Sequence, residues 1–230
     1  MPSCDIDDLR VSEITHFFLI MKFVKGGSVL KSILQNGYAG KKQKSNVEGF
    51  TRDESLSGQR AQVYVNPQTG KAIVNHRGTQ GFQDVITDAK LLFNPKAYRK
   101  SKRYKHAQKI QKEAEDKYGA ENLTTTGHSL GARLASDLGR NTAHVVTYNK
   151  PVIPSDYGKT ANPNETHIRT KHDPVSILAP LLDKTKRRNV KSDSLLGSHS
   201  TEQLSNLKDE PIVGGWRIRR RTFINHSVII

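Results

Sequence analysis

Residues 121–138 read Glu-Asn-Leu-Thr-Thr-Thr-Gly-His-Ser-Leu-Gly-Ala-Arg-Leu-Ala-Ser-Asp-Leu. The first six suit a strand, the last seven a helix ended by Gly139, and between them stands Gly127-His128-Ser129-Leu130-Gly131. Gly-x-Ser-x-Gly at a strand-to-helix junction is the pattern of a sharp turn. Such a turn holds the serine in a strained backbone conformation and lets its hydroxyl project from the end of a sheet. The glycines permit the close backbone approach, and the helix N-terminus behind the serine favours developing negative charge. The competing reading is a glycine-rich helix start capped by Ser129.

Working outward, 143–148 and 167–170 read as further strands, and 201–207 as a short helix. Upstream, 61–65 and 71–75 are β-branched runs around Asn66-Pro67-Gln68-Thr69-Gly70, which predicts a β-hairpin. The apolar positions Phe82, Val85, Ile86, Ala89, Leu92 and Phe93 share one helical face, and Pro95 stops them. A charged helix is predicted over 99–118, burying Tyr104, Ala107, Ile110, Ala114 and Tyr118 and ending at Gly119. Strands alternating with helices imply an α/β fold with a mainly parallel sheet.

The 230 residues suit one domain. Residues 1–36 are apolar in the middle and capped by Gly26-Gly27; the segment 14–34 reads as a buried helix or strand, with a membrane-surface anchor as the alternative. It is followed by a basic, loop-like stretch over 37–60. These first 60 residues are expected to pack on a core made by 61–230, one folding unit overall. The apolar run over 17–24 is shorter than a membrane span and follows acidic residues, so neither a signal peptide nor a transmembrane segment is expected. The single cysteine, Cys4, excludes a disulfide framework within the chain. An intracellular or particle-associated protein is expected.

A serine hydroxyl needs a base, and the base an orienting acid. In α/β folds with this turn the chain order is serine, acid, histidine. Asp173, in His172-Asp173-Pro174-Val175, is the preferred acid; Asp156, Glu165 and Asp183 are its rivals. Five histidines follow Ser129. His144 and His167 lie in strand-like segments, and His172 adjoins Asp173 too closely to turn back on it. His199, in a polar loop before the 201–207 helix, suits a loop-borne base, and His226 is the alternative.

These residues bring a family into view. The chain resembles the class 3 lipases, the fungal-lipase-like branch of the α/β-hydrolases, over roughly 60–205. Arg77-Gly78-Thr79 is similar to the family's Arg-Gly-Ser/Thr, the elbow keeps its usual His and Leu, and Asp173-Pro174-Val175 ahead of Pro180 is similar to its Asp-x-Val block. Pro151 matches a further family feature. The resemblance implies an α/β-hydrolase fold: a single compact domain whose mainly parallel central sheet is flanked by helices. It also implies a serine carboxyl-ester hydrolase (lipase, phospholipase or esterase) working through an acyl-enzyme. By the same resemblance Ser129 is the nucleophile, Asp173 the acid and His199 the base, with the oxyanion held at Thr79 and at the N–H of Leu130. Residues 81–93 fall where the family carries a lid; a fixed cover is the alternative. Ala132 replaces a usual second glycine. The short spacing from Asp173 to His199 keeps His226 in contention. The chain looks most like the short intracellular or virus-encoded members.

The 37 lysines and arginines against 22 acidic residues give a formal charge of +15. Basic clusters lie at 41–44, 99–112, 184–188 and 217–221, the last beside Trp216. On an enzyme acting on a lipid or other carboxyl ester they would favour an anionic membrane surface, at about 1 kcal/mol per residue near it. The rival partner is nucleic acid, which charge alone supports, since no nucleic-acid-binding motif is present. The rival function is accordingly a catalytically weak or inactive hydrolase-fold protein that binds such surfaces. No His/Cys/Asp set has metal-ligand spacing, so no metal and no cofactor is expected.

Overall fold

The computed structural model describes residues 26–79, 92, 94–160, 162–177, 179–182, 184–192 and 199–206. The readings above for Cys4, 17–24, the 82–93 helix (apart from Leu92), Asp183, Trp216 with the 217–221 cluster, and His226 lie outside the described residues.

Among the described residues eight strands form one sheet in sequential order: β1 Asn46–Val47, β2 Phe50–Arg52, β3 Ala61–Val65, β4 Ala72–His76, β5 Leu123–His128, β6 His144–Tyr148, β7 Glu165–Thr170 and β8 Lys186–Val190. The strands from β1 to β4 pair antiparallel, and those from β4 to β8 pair parallel. The helices are α1 Gly26–Tyr38, α2 Pro95–Lys100, α3 Lys102–Tyr118, α4 Leu130–Leu138 and the single turn α5 Ala179–Leu182. This mostly parallel sheet with flanking helices is an α/β-hydrolase fold. Among the described residues no helix is long and apolar enough to cross a membrane.

The two-residue period of a strand sends alternate side chains to opposite faces. Val63, Val74 and Leu123 meet Ile110 and Ala114 of α3 on one face. Tyr64 meets Val29 and Ile33 of α1 on the other. On that second face Val146, Tyr148 and Ile168 pack with Leu30 and Leu34 of α1 and with Leu204, from a 3₁₀ turn over Thr201–Asn206. Each cluster removes several apolar side chains from water, at about 1.5–3 kcal/mol for each fully buried one.

The hairpin and the stripe on α3 match the sequence reading. Asn66 Oδ1 accepts from the N–H groups of Gln68 and Thr69 at 3.0 and 3.1 Å and so builds the turn between β3 and β4. Four features differ. The predicted 99–118 helix is two helices, because Ser101 is extended (φ −62, ψ 145) and caps α3 by accepting from Tyr104 N at 3.1 Å. Gly26-Gly27 opens α1 instead of ending an apolar segment: the stripe Val29, Leu30, Ile33, Leu34 finds a sheet to pack on, which outweighs glycine's poor helix propensity. The loop-like 37–60 contains β1 and β2. The 201–207 helix is the tighter 3₁₀ turn.

Register decides where the chemistry gathers. His76, the last residue of β4, lies opposite Gly127 of β5, and His128 lies opposite Tyr148 of β6. The segments leaving β4, β5 and β6 therefore emerge side by side at the carboxyl edge of the sheet, where ligands bind in open α/β folds.

Candidate active site

Ser129 follows β5 and precedes α4 with φ 57 and ψ −128. A non-glycine residue held there stores about 1–3 kcal/mol of strain, which persists only when its surroundings over-determine it. They do so here. Ser129 N–H donates to the Tyr148 carbonyl at 3.0 Å, and its own carbonyl accepts from Ala132 and Arg133 at 2.9 and 3.2 Å. A Cβ on Gly131 would collide with the carbonyls of His76 and Arg77, and one on Gly127 with the carbonyl of Gly131. Both glycines thus mark where β4, β5 and α4 touch through backbone.

Asp173 lies in the turn after β7, just past His172, whose φ is 71. Its carboxylate is fully buried. Oδ2 accepts from the N–H and hydroxyl of Ser176 at 2.7 and 2.5 Å, and Oδ1 accepts from His199 Nδ1 at 2.6 Å. With the hydrogen on Nδ1, a neutral His199 presents the lone pair of Nε2. That atom is buried without a hydrogen-bond partner, and so is Ser129 Oγ. Unsatisfied buried polar atoms are uncommon and point to strain or function. The rival acids are engaged elsewhere. Asp156 pairs with Arg133 at 2.6 Å, with its side chain 12% exposed. Glu165 pairs with Lys150 at 2.7 Å. His167 is wholly buried in β7, its Nε2 accepting from Lys150 N at 3.2 Å.

Thr79 lies just beyond β4. Arg103 of α3 grips this loop twice, through Nη1 to Thr79 Oγ1 at 3.3 Å and Nη2 to the Arg77 carbonyl at 2.5 Å. In sequence Arg103 is one more charge of the 99–112 cluster; in the fold it is a clamp. Leu130, the first residue of α4, contributes an N–H that an α-helix leaves free at its start. Lys109 and Lys112 are exposed on the polar face of α3.

The elbow histidine joins these parts. His128 Nε2 lies 2.8 Å from the His199 carbonyl, which can only accept, so Nε2 carries the ring hydrogen. Nδ1 is then an acceptor and takes the Tyr38 hydroxyl hydrogen at 2.8 Å, while the Tyr38 oxygen accepts from Gly78 N at 3.0 Å. The run Gly78–Tyr38–His128–His199 therefore ties the Arg77-Gly78-Thr79 loop to the His199 loop beneath Ser129. Burial, helped by the neighbouring His199, pushes the His128 pKa down to about 3, so the ring stays neutral. Burial pushes the Tyr38 hydroxyl up to about 12, so it stays protonated. Tyr148 adds a second tether, its hydroxyl donating to the Ser200 carbonyl at 2.9 Å. The sequence reading missed Tyr38, Arg103 and Tyr148 in this role. Only the His of the elbow carried a signal, as a usual family residue without an assigned task. Among the described residues no three His, Cys, Asp or Glu side chains stand together in a way that would hold a metal ion.

Solved structures similar to the chain include two hydrolases. One is a predicted CIB-like hydrolase from Thermoplasma acidophilum, 11% identical, covering 70% of this chain and 97% of that one with a TM-score of 0.42. The other is a triacylglycerol lipase from Penicillium expansum, 18% identical, covering 77% of this chain and 80% of that one with a TM-score of 0.44. No curated protein matches. The family model described as a phospholipase-like, Tle-like phospholipase domain matches residues 37–151, from the end of α1 through the elbow to Pro151. The chain belongs to this family of Tle-like phospholipase domains.

Proposed function

We propose that the protein is a serine hydrolase that cleaves the carboxyl esters of lipids, phospholipids foremost. The observation that carries this reading is the pairing of His199 Nδ1 with the buried Asp173 carboxylate at 2.6 Å, with His199 Nε2 and the oxygen of a strained Ser129 both unpartnered. A base oriented by an acid, and a nucleophile held at an elbow, are the components of acyl transfer to serine.

In the reaction we infer, Ser129 Oγ attacks the ester carbonyl carbon as His199 Nε2 takes its proton. The carbonyl π electrons move onto oxygen, and the N–H groups of Thr79 and Leu130 receive the resulting anion, each worth about 3–4 kcal/mol at the transition state. The tetrahedral carbon then expels the alkoxide, which leaves as the alcohol by taking the proton from His199 Nε2–H. Water, deprotonated by His199, attacks the acyl-enzyme, and as the C–Oγ bond breaks Ser129 Oγ takes that proton back from His199 and the fatty acid is released. Asp173 keeps the proton of Nδ1 in place and stabilises the charged ring throughout. The assignment follows the class 3 lipase arrangement. Membership of a phospholipase-like family and the charge of +15 support an anionic lipid surface as the place of work.

The test is fatty-acid release from phosphatidylglycerol and phosphatidylcholine vesicles by the full chain and by Ser129→Ala. Release by the wild type, lost in a folded Ser129→Ala, is the expected result. Equal release by both, or none by either under any lipid composition, overturns the reading.

A further inference from the structure

A crevice of about 170 Å³ opens beside α4. The first residue of α4 to line it is Arg133, four positions and about 6 Å along the helix axis past Ser129. None of Ser129, Asp173 or His199 lines it. The segment from β6 to β7, which in a parallel α/β sheet commonly carries a covering helix, forms among its described residues the 3₁₀ turn Pro154–Asp156. A polar hollow is left between that segment and α4.

Among the described residues its charges do not balance: five cations line the crevice, Arg99, Arg133, Arg140, Lys150 and Lys159, against the three carboxylates of Asp137, Asp156 and Glu165. Every carboxylate is already answered. Arg133 takes Asp156 at 2.6 Å and Asp137 at 3.5 Å, Lys159 takes Asp156 at 2.8 Å, and Lys150 takes Glu165 at 2.7 Å. Three cations are thereby matched by three carboxylates. Arg99 and Arg140 remain, with no ion pair among the described residues, and leave the crevice two positive charges in excess.

The third feature is a donor. Asn162 is 6% exposed and lines the same crevice, and its Nδ2 is buried without a hydrogen-bond partner. A buried donor left unsatisfied is unfavourable, and an acceptor oxygen brought into the crevice relieves it. Two unmatched guanidinium groups and an amide N–H amount to a set of donors with no acceptor. Guanidinium groups in particular suit the oxygens of a phosphate.

We propose that this crevice is a phosphate-binding site, with Arg99, Arg140 and Asn162 as its donors. The phosphate is either the free ion or the headgroup of a lipid. The site is independent of the ester-hydrolase reading, and an unreactive Ser129 leaves it standing.

The test is calorimetric titration of the full chain with inorganic phosphate at constant ionic strength. Arg140→Glu reverses a charge on an exposed side chain and is expected to keep the fold. Lys109→Glu makes the same charge change on the exposed face of α3. Saturable phosphate binding is expected in the wild type and in Lys109→Glu, weakened at least tenfold in Arg140→Glu. Absence of saturable binding, or equal loss in both variants, overturns the proposal. Co-sedimentation with phosphatidic acid vesicles identifies the source: weakening there by Arg140→Glu but not Lys109→Glu identifies a headgroup, and weakening confined to inorganic phosphate identifies the free ion.

Discussion

His128 donates from Nε2 to the carbonyl oxygen of His199 across 2.8 Å, so the residue before the strained serine holds the backbone of the residue we propose as its base. The two rings also lie 4.8 Å apart, centroid to centroid. His128→Phe keeps a ring of similar size and removes both hydrogen bonds. We expect a folded protein whose kcat/KM on a soluble ester falls about 10–100-fold, the consequence of losing about 1.4–3 kcal/mol of positioning. Tyr38→Phe, which removes the hydroxyl's bonds to Gly78 N and His128 Nδ1 but leaves His128 Nε2 on the His199 carbonyl, is expected to show a smaller loss. An unchanged His128→Phe would show that the His199 loop holds its place without this bond.

Arg103 provides a second handle on the same loop. Arg103→Ala releases Thr79 Oγ1 and the Arg77 carbonyl together, and is expected to lower kcat tenfold or more with little change in KM. Arg103→Lys should recover little of this, because a single ammonium cannot span both acceptors. Steady-state kinetics of the two variants decide the matter; full rescue by lysine would mean that charge alone is required.

Acid should destabilise the fold in a defined window. Burial pushes His76 down to about 4 and His128 down to about 3. In the unfolded chain such rings titrate near about 6.5. Between these values the unfolded state binds more protons, so stability rises with pH. The contribution is complete above about 6.5 and is lost as pH falls towards about 4, each ring adding a slope that approaches about 1.4 kcal/mol per pH unit. Thermal melts across this window should show a falling midpoint, and His76→Asn a shallower fall. A midpoint independent of pH would contradict the burial of neutral rings.

Gly131→Ala tests the elbow as a packing device. Its Cβ would enter the backbone of His76 and Arg77, neither of which can swing aside as a side chain can. We expect loss of soluble folded protein or a melting point many degrees lower, whereas Ala135→Gly in the same helix should lower stability by only about 1 kcal/mol.

Much of this was legible in the sequence where local chemistry and global fold agree. The strand into Gly127, the helix out of Gly131, the Asn66–Gly70 turn and the buried stripe of α3 each carry a signal within a few residues. Chain order left four acids and five histidines; local setting and the family resemblance favoured Asp173 and His199, and these two meet at 2.6 Å. The parts that escaped depend on distant partners. Strands β1 and β2, of two and three residues, are too short to show a period and exist because β3 offers an edge. The run at 184–188 reads as surface charge, yet Lys186–Val190 is β8; basic side chains suit an edge strand that must not pair further. Arg103 is indistinguishable in sequence from Lys102 or Lys105, and only the place where α3 passes the Arg77 loop gives it a task. Tyr38 is 90 residues from His128, a separation that no local pattern bridges.

The most direct measurement is covalent labelling of the full chain by a fluorophosphonate probe, with Ser129→Ala, His199→Ala and His226→Ala in parallel. The wild type and His226→Ala should label, Ser129→Ala should not, and His199→Ala should label far more slowly. A folded wild type that fails to label with lipid or detergent present, or labelling that survives in Ser129→Ala, would contradict the assignment of an activated serine at the elbow.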